Sequence, residues 1–285
     1  MSDQAAGVVQ TLHPLIRRLL APNPSPFTYT GTQTYIVGTG EVAVIDPGPD
    51  DADHVASILQ AVAGERVVAI VCTHTHRDHS PASRALRAAT GAPIVGCPPL
   101  ALTDDGPRSD AAFDVDYAPD RALVDGEAIR GEGWTLEAVA TPGHTSNHLC
   151  FALPEAGALF TGDHVMGWST SVVSPPDGDM GAYMDSLDKL MRRADRIYYP
   201  AHGEGVEQPQ RFVRHLAGHR KGRENQILKL LGDGPQTIPD MVARMYVGLD
   251  PRLIGAAGRS VQAHLLHLEQ RDVVWQDGDH WLLAA

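Results

Sequence analysis

The densest run of metal-binding side chains in this sequence is Thr73-His74-Thr75-His76-Arg77-Asp78-His79. Residues two apart on an extended segment point the same way, so His74 and His76 can grip one ion. A turn after them brings Asp78 and His79 alongside. Three further candidates sit at the ends of apolar runs: His144 in Thr141-Pro142-Gly143-His144-Thr145, Asp163 in Thr161-Gly162-Asp163-His164, and His202 in Pro200-Ala201-His202-Gly203. Each run empties into a glycine-containing loop, the context in which function is commonly mounted on a scaffold. Imidazole and carboxylate ligands suit Zn²⁺ and discriminate poorly against Mn²⁺ or Fe. No thiolate is implicated, which argues against a cysteine-rich structural zinc site.

A set of seven ligands is enough for two ions. Two metals about 3.5–4 Å apart can share a water, lower its pKa toward 7 and stabilise a developing oxyanion or leaving group. The expected nucleophile is a metal-bound hydroxide, with Asp78 both ligating and orienting it, and no nucleophilic side chain. Asp46 has two readings, a hydrogen-bond partner for a ligating histidine or a cap on the turn before Pro47. His148, His164 and Trp168 are candidate substrate contacts; their alternatives are a bond to the backbone, a place behind the site, and loop packing. The remaining histidines, His13, His54, His215, His219, His264, His267 and His280, lack ligand spacing and read as surface or helix residues.

The elements that would position these groups follow from periodicity. Residues 33–37 and 41–46 read as a strand pair joined through Gly38 and Gly40, and Asp46-Pro47-Gly48-Pro49 stops the sheet. A helix fits 51–63, a strand 66–72, a helix 80–90 and a short strand 93–96. Pro, Asp and Ser make 98–120 an irregular loop. Strands return at 134–140, 147–153 and 157–161, a helix follows at 181–194 and a last strand at 196–200. Beyond Gly205 the pattern turns helical over 208–231, 237–246 and 251–270. Residues 272–283 then read as a hairpin around a glycine-containing turn.

The chain has 285 residues, long enough for one large domain with a small appendage. No apolar run approaches the roughly 18 residues of a membrane span, and the N-terminus lacks the charged and apolar regions of a signal peptide. The cysteines Cys72, Cys97 and Cys150 are isolated in apolar contexts and read as core residues rather than a disulfide framework, so a cytoplasmic location is expected. Fourteen histidines stand against three lysines, and the net charge of −12 is uneven: residues 1–207 carry −14 and residues 208–285 carry +2.

Taken in order, the ligand segments resemble the metallo-β-lactamase superfamily over residues 30–205. The C-terminal region, Gly162-Asp163-His164-Val165-Met166-Gly167 and the helix around Tyr183 to Leu190 are similar to its LACTB2-like branch. The resemblance implies an α/β four-layer αβ/βα sandwich over residues 1–207 and a small winged-helix-like domain over 208–285. It also implies a dinuclear site, with His74, His76 and His144 on one metal, Asp78, His79 and His202 on the other, and Asp163 bridging. Ser80-Pro81-Ala82 departs from the small glycine-rich residues that many members carry, which reshapes the mouth of the site without removing a ligand.

Several chemistries share such a cradle. The expectation is a metallohydrolase of an ester, thioester, lactone or similar small or moderate-sized substrate, with two Zn²⁺, or Mn²⁺ or Fe in their place. The branch resemblance offers cleavage of single-stranded RNA as the alternative. Phosphate binding needs clustered cations, and the C-terminal region offers Arg211, Arg214, Arg220, Lys221 and Arg223; a solvated helix face explains them as well. A bridging Asp163 weighs against a β-lactamase. A DNA-binding regulator with a metal-sensing site is disfavoured because 251–270 offers only Arg252 and Arg259 as cations. The C-terminal region is expected to cover the site or to build a homodimer contact.

Overall fold

The computed structural model describes residues 5–101 and 113–284, so part of the irregular loop expected over 98–120 lies outside the described residues. Contacts group the chain into two units. The first comprises residues 1–141, 147–169 and 194–209. It holds a seven-stranded sheet of β1 (Gln10–His13), β2 (Ile16–Leu20), β3 (Gln33–Thr39), β4 (Glu41–Ile45), β5 (Arg66–Cys72), β6 (Ile94–Gly96) and β7 (Arg121–Ala122), in that spatial order. The pairs from β1 to β4 are antiparallel and those from β4 to β7 parallel. Parallel neighbours need a crossover, and α1 (Ala52–Ala61) and α2 (Ala82–Thr90) supply the first two. Asp51 caps α1 by accepting from the His54 amide, and α2 ends where Gly91 turns left-handed.

The second sheet runs β12 (Ile197–Pro200), β11 (Ala158–Gly162), β10 (Leu149–Leu153), β9 (Trp134–Ala140) and β8 (Ala128–Gly131). Its β10 and β11 are buried along their whole lengths. One core joins the two sheets and both helices, with Ile36, Val44, Ile58, Ile70 and Leu86 meeting Leu136, Phe151 and Phe160. Burying each such side chain is worth about 1.5–3 kcal/mol. Across this core the Tyr35 ring packs tilted against Phe160, centroids 5.0 Å apart, and its hydroxyl donates to the Pro200 carbonyl. The sheets leave their ligand-bearing loops after β5, β9, β11 and β12, with Asp46 directly after β4, and these strand ends carry the site.

The second unit comprises residues 142–146, 170–193 and 210–285. It contains α3 (Met180–Met191), nearly all of α4 (Pro209–Gly232), α5 (Ile238–Met245), α6 (Ile254–Glu269) and the hairpin β13 (Val274–Asp277) with β14 (His280–Leu283). Ile227, Leu231, Met241, Val261, Leu265 and Trp281 form its core. Thr237 caps α5, and Gln236 pairs with Trp281 to extend the hairpin by one bridge. Three helices and a two-stranded wing are a winged-helix arrangement.

The regular elements lie close to those read from periodicity, with β5 and β9 at the expected residues. Strands β1, β2, β7 and β8 were not anticipated; each has at most five residues, too short for a two-residue alternation to stand out. His54 and His264 lie on helices α1 and α6 and are buried there. All three cysteines are buried free thiols. Among the described residues, no helix is long and apolar enough to cross a membrane.

Candidate metal centre

Strand β5, buried over its C-terminal half, delivers Thr73 and His74 directly into the site, both inaccessible to solvent. His74 Nε2 lies 2.9 Å from His76 Nδ1. Two groups of potential ligands result. One is His74, His76, His144 and Asp163, whose ligating atoms all lie within 4.8 Å of one another; the other is Asp78, His79 and His202, within the same limit. Asp163 Oδ1 also lies 3.2 Å from His202 Nε2 and 3.6 Å from His79 Nε2, so its carboxylate reaches members of both groups. His144 sits in segment 142–146 of the link 141–148 between β9 and β10.

The imidazoles are oriented through Nδ1 by neighbours of three kinds. His79 Nδ1 donates to Asp46 Oδ2 at 3.0 Å, His202 Nδ1 to the Gly31 carbonyl at 3.1 Å and His144 Nδ1 to the Val172 carbonyl at 2.6 Å. His74 Nδ1 lies 3.0 Å from the Thr73 hydroxyl, which itself donates to Asp46 Oδ2. Fixing one ring nitrogen in this way sets the tautomer and aims the other at the ligand position. Asp46 is almost fully buried, holds φ +46° and also accepts from the Thr73 amide at 2.8 Å. It therefore ties the end of β4 to the start of the His74 segment while orienting His79.

Charge is concentrated here. Burial alone would push Asp78 up, but His79 and His202 beside it hold its carboxyl well below the usual range. Asp163 is held down likewise, His202 and His79 outweighing its burial. Burial disfavours the charged imidazoles, yet Asp78, Asp163 and Asp46 push His79 well up, and Asp163 and Asp78 push His202 up to about 10. His79 Nε2 is buried and makes no hydrogen bond although it lies 3.3 Å from Asp78 Oδ2. A buried, pre-aimed imidazole nitrogen facing two carboxylates fits a divalent cation.

His148 and His164 are buried, while Trp168 is partly exposed. The His148 ring is held between the Thr141 hydroxyl at its Nδ1 and the Asp163 amide, which donates to its Nε2 at 3.2 Å. Sequence reasoning did not single out Thr32, whose hydroxyl donates to Asp78 Oδ2 at 3.1 Å and accepts from Asn23 Nδ2 at 2.9 Å. Nor did it find Gly31 or Val172, because a backbone carbonyl carries no residue-type signal. Asp46 was named from the sequence as a partner for a ligating histidine, whereas Thr73, although it stands beside the motif, was given no role.

Residues 28–202 match the family described as the metallo-beta-lactamase superfamily, and residues 237–281 match the beta-lactamase associated winged helix domain. The chain is 37% identical over 265 residues to the atrochrysone carboxyl ACP thioesterase of Aspergillus fumigatus, an alignment covering 90% of this chain and 74% of that protein. It is 31% identical over 258 residues to the lactamase-like protein adaB of Aspergillus niger, covering 85% and 76% of the two chains. A beta-lactamase domain protein from Burkholderia ambifaria has the same fold at a TM-score of 0.83, with 20% identity over 99% of this chain and 95% of the other.

Proposed function

We propose, from the premise that the chain belongs to the metallo-beta-lactamase superfamily, that it is a two-metal hydrolase that cleaves an acyl thioester. The observation that carries this reading is the Asp163 carboxylate, within 3.6 Å of imidazoles of the Asp78, His79 and His202 group and itself a member of the other group. His74, His76 and His144 would hold one ion and Asp78, His79 and His202 the other, with Asp163 shared. The imidazole and carboxylate set suits Zn²⁺, and accommodates Mn²⁺ or Fe. Bound there, such ions supply a water of lowered pKa and polarise the carbonyl oxygen under attack.

The chain's own residues supply orientation and proton handling. Asp78, whose Oδ2 accepts from the Thr32 hydroxyl, would direct the attacking water. Asp46 and the Gly31 carbonyl hold His79 and His202 against rotation as charge develops. A thioester needs no strong general acid, since its thiolate leaving group is stable near neutral pH. No nucleophilic side chain is required. Support for the thioester comes from the relative in Aspergillus fumigatus, whose name gives an acyl carrier protein thioester as its substrate.

Cleavage of RNA draws support from the basic run on α4, but that run is not a free cationic stripe. Arg220 is buried, donating to the Ser171 carbonyl and lying 5.1 Å over the Tyr183 ring, and Arg223 lies 4.2 Å over Tyr246. Residues 1–207, which carry every proposed ligand, have a charge of −14. We assign catalysis to residues 1–207 and the appendage to 208–285, in a reducing cytoplasm that suits three free thiols.

The test is a panel of S-acetyl-N-acetylcysteamine, a lactone, bis-p-nitrophenyl phosphate, single-stranded RNA and nitrocefin, with and without chelator. The thioester is expected to be turned over fastest, with loss on chelation and recovery on adding Zn²⁺ or Mn²⁺. Faster cleavage of the phosphodiester or of RNA would overturn the assignment.

A further inference from the structure

Beside the metal centre two aromatic side chains from distant parts of the sequence stack face to face and remain accessible. Tyr29 and Trp168 have ring centroids 4.9 Å apart and planes only 14° from parallel, with 37% and 38% of their surfaces exposed. Large rings that merely pack are normally buried more completely. Neighbouring Phe27 is 46% exposed.

Both segments are fastened to the same ligand. The Gly31 carbonyl, two residues after Tyr29, accepts from His202 Nδ1, and the Gly167 amide, next to Trp168, donates to the His202 carbonyl at 2.9 Å. Thr32, in the same segment as Tyr29, holds Asp78. The close approach is built in: a Cβ at Gly203 would lie 2.9 Å from the Trp168 backbone nitrogen, and Gly203 has φ +88°. Tyr29 itself holds φ +57°, a left-handed conformation unfavourable for a bulky residue. Such strain persists where the surroundings over-determine it and concentrates at functional sites.

We propose that the Tyr29–Trp168 stack is the platform for the acyl group of the thioester, and that it selects planar, conjugated or aromatic acyl groups over short aliphatic ones. This rests on the thioester-hydrolase reading. A saturated acyl chain would gain only apolar contact from these rings, whereas a planar π-system extends the stack and gains the offset-stacking energy as well. Attachment of both segments to His202 makes the platform continuous with the reacting centre and ties acyl position to ligand position.

The test uses the full-length, metal-loaded protein and two probes, S-(2-naphthoyl)- and S-acetyl-N-acetylcysteamine. In Trp168→Ala the naphthoyl-to-acetyl ratio of kcat/KM should fall roughly two- to tenfold, mostly through KM for the naphthoyl probe, with partial recovery in Trp168→Phe. Tyr29→Leu, which keeps an apolar side chain, should lower the same ratio. A ratio unchanged in both variants, or equal loss on both probes, overturns the platform. Calorimetric binding of N-acetyl-N′-(2-naphthoyl)ethylenediamine, the unreactive amide isostere of the naphthoyl probe, separates this proposal from the reaction it rests on. If the wild-type protein hydrolyses neither thioester, the hydrolase reading fails while the amide still decides the platform. Its Kd should weaken roughly two- to tenfold in Trp168→Ala, and an equal Kd overturns the proposal.

Discussion

Asp46 joins three groups at once, the Thr73 amide, the Thr73 hydroxyl and His79 Nδ1. Replacing it with alanine frees the His79 ring and should weaken metal binding about 10- to 100-fold, read by competition with a chromophoric chelator. Asp78→Ala should abolish hydrolysis while leaving the far-ultraviolet circular dichroism spectrum intact; retained turnover would remove Asp78 from the chemistry. His264 tests a different property. Burial lowers its pKa to about 3, and neither ring nitrogen has a hydrogen-bond partner. Its neutral form is favoured in the folded state, so its contribution is whole above the unfolded value near 6.5 and lost as pH falls toward about 3. His264→Leu should therefore recover on the order of 2–3 kcal/mol of the stability lost between pH 7 and 4.5, measured by denaturant titration at the two pH values. An unchanged acid slope would contradict it. The histidines of the Thr73–His79 segment could be read from spacing, whereas His264 could not: a histidine on an apolar helix face carries no mark of which neighbours will enclose it.

At the scale of elements, the site depends on strand ends that admit no side chain at a few points. Gly162 closes β11 with φ +48°, and a Cβ there would lie 2.7 Å from both His148 Nε2 and Thr73 Oγ1. Gly162→Ala should cost about 1–3 kcal/mol in backbone strain alone and displace the Asp163 amide from His148. A lowered Tm together with a reduced metal content would be the observed pair; an unchanged content would mean that the loop absorbs the methyl group. Most strands and helices were legible because long apolar runs and 3.6-residue periodicity carry them. Strand β2 was not, since Arg17 and Arg18 interrupt its apolar pattern. The structure resolves the conflict by burying Arg18 against Gln10 and Gln33, while Arg17 pairs with Glu65 at 2.6 Å. Those partners lie up to 48 residues away, beyond any local window.

For the whole molecule, composition changes near residue 207, yet contacts do not divide the chain there alone. Helix α3 and the segment 142–146 group with residues 210–285: Ser186 donates to the Pro142 carbonyl, the Asp179 amide donates to the Gly143 carbonyl, and α3 packs against α6. Hydrophobic periodicity reports that α3 has an apolar face but not which surface covers it. A chain truncated after residue 207 should thus expose that face and aggregate or lose α3 order, checked by light scattering and circular dichroism. A monomeric truncation with undiminished thioester turnover would argue otherwise. The intact chain should carry about two metals by elemental analysis when purified with metal supplied, as the two ligand groups imply. One tightly held ion would leave one of those groups without its role.

The four ring orientations described at the metal centre differ in what can undo them by mutation. His202 and His144 donate to the carbonyls of Gly31 and Val172, groups that every amino acid possesses. No codon change at those positions deletes the acceptor. His79 and His74 rely on the side chains of Asp46 and Thr73, and a single nucleotide can remove either. Substitutions at Asp46 or Thr73 should therefore disturb the ring orientations more than substitutions at Val172, whose side chain takes no part in the bond to His144.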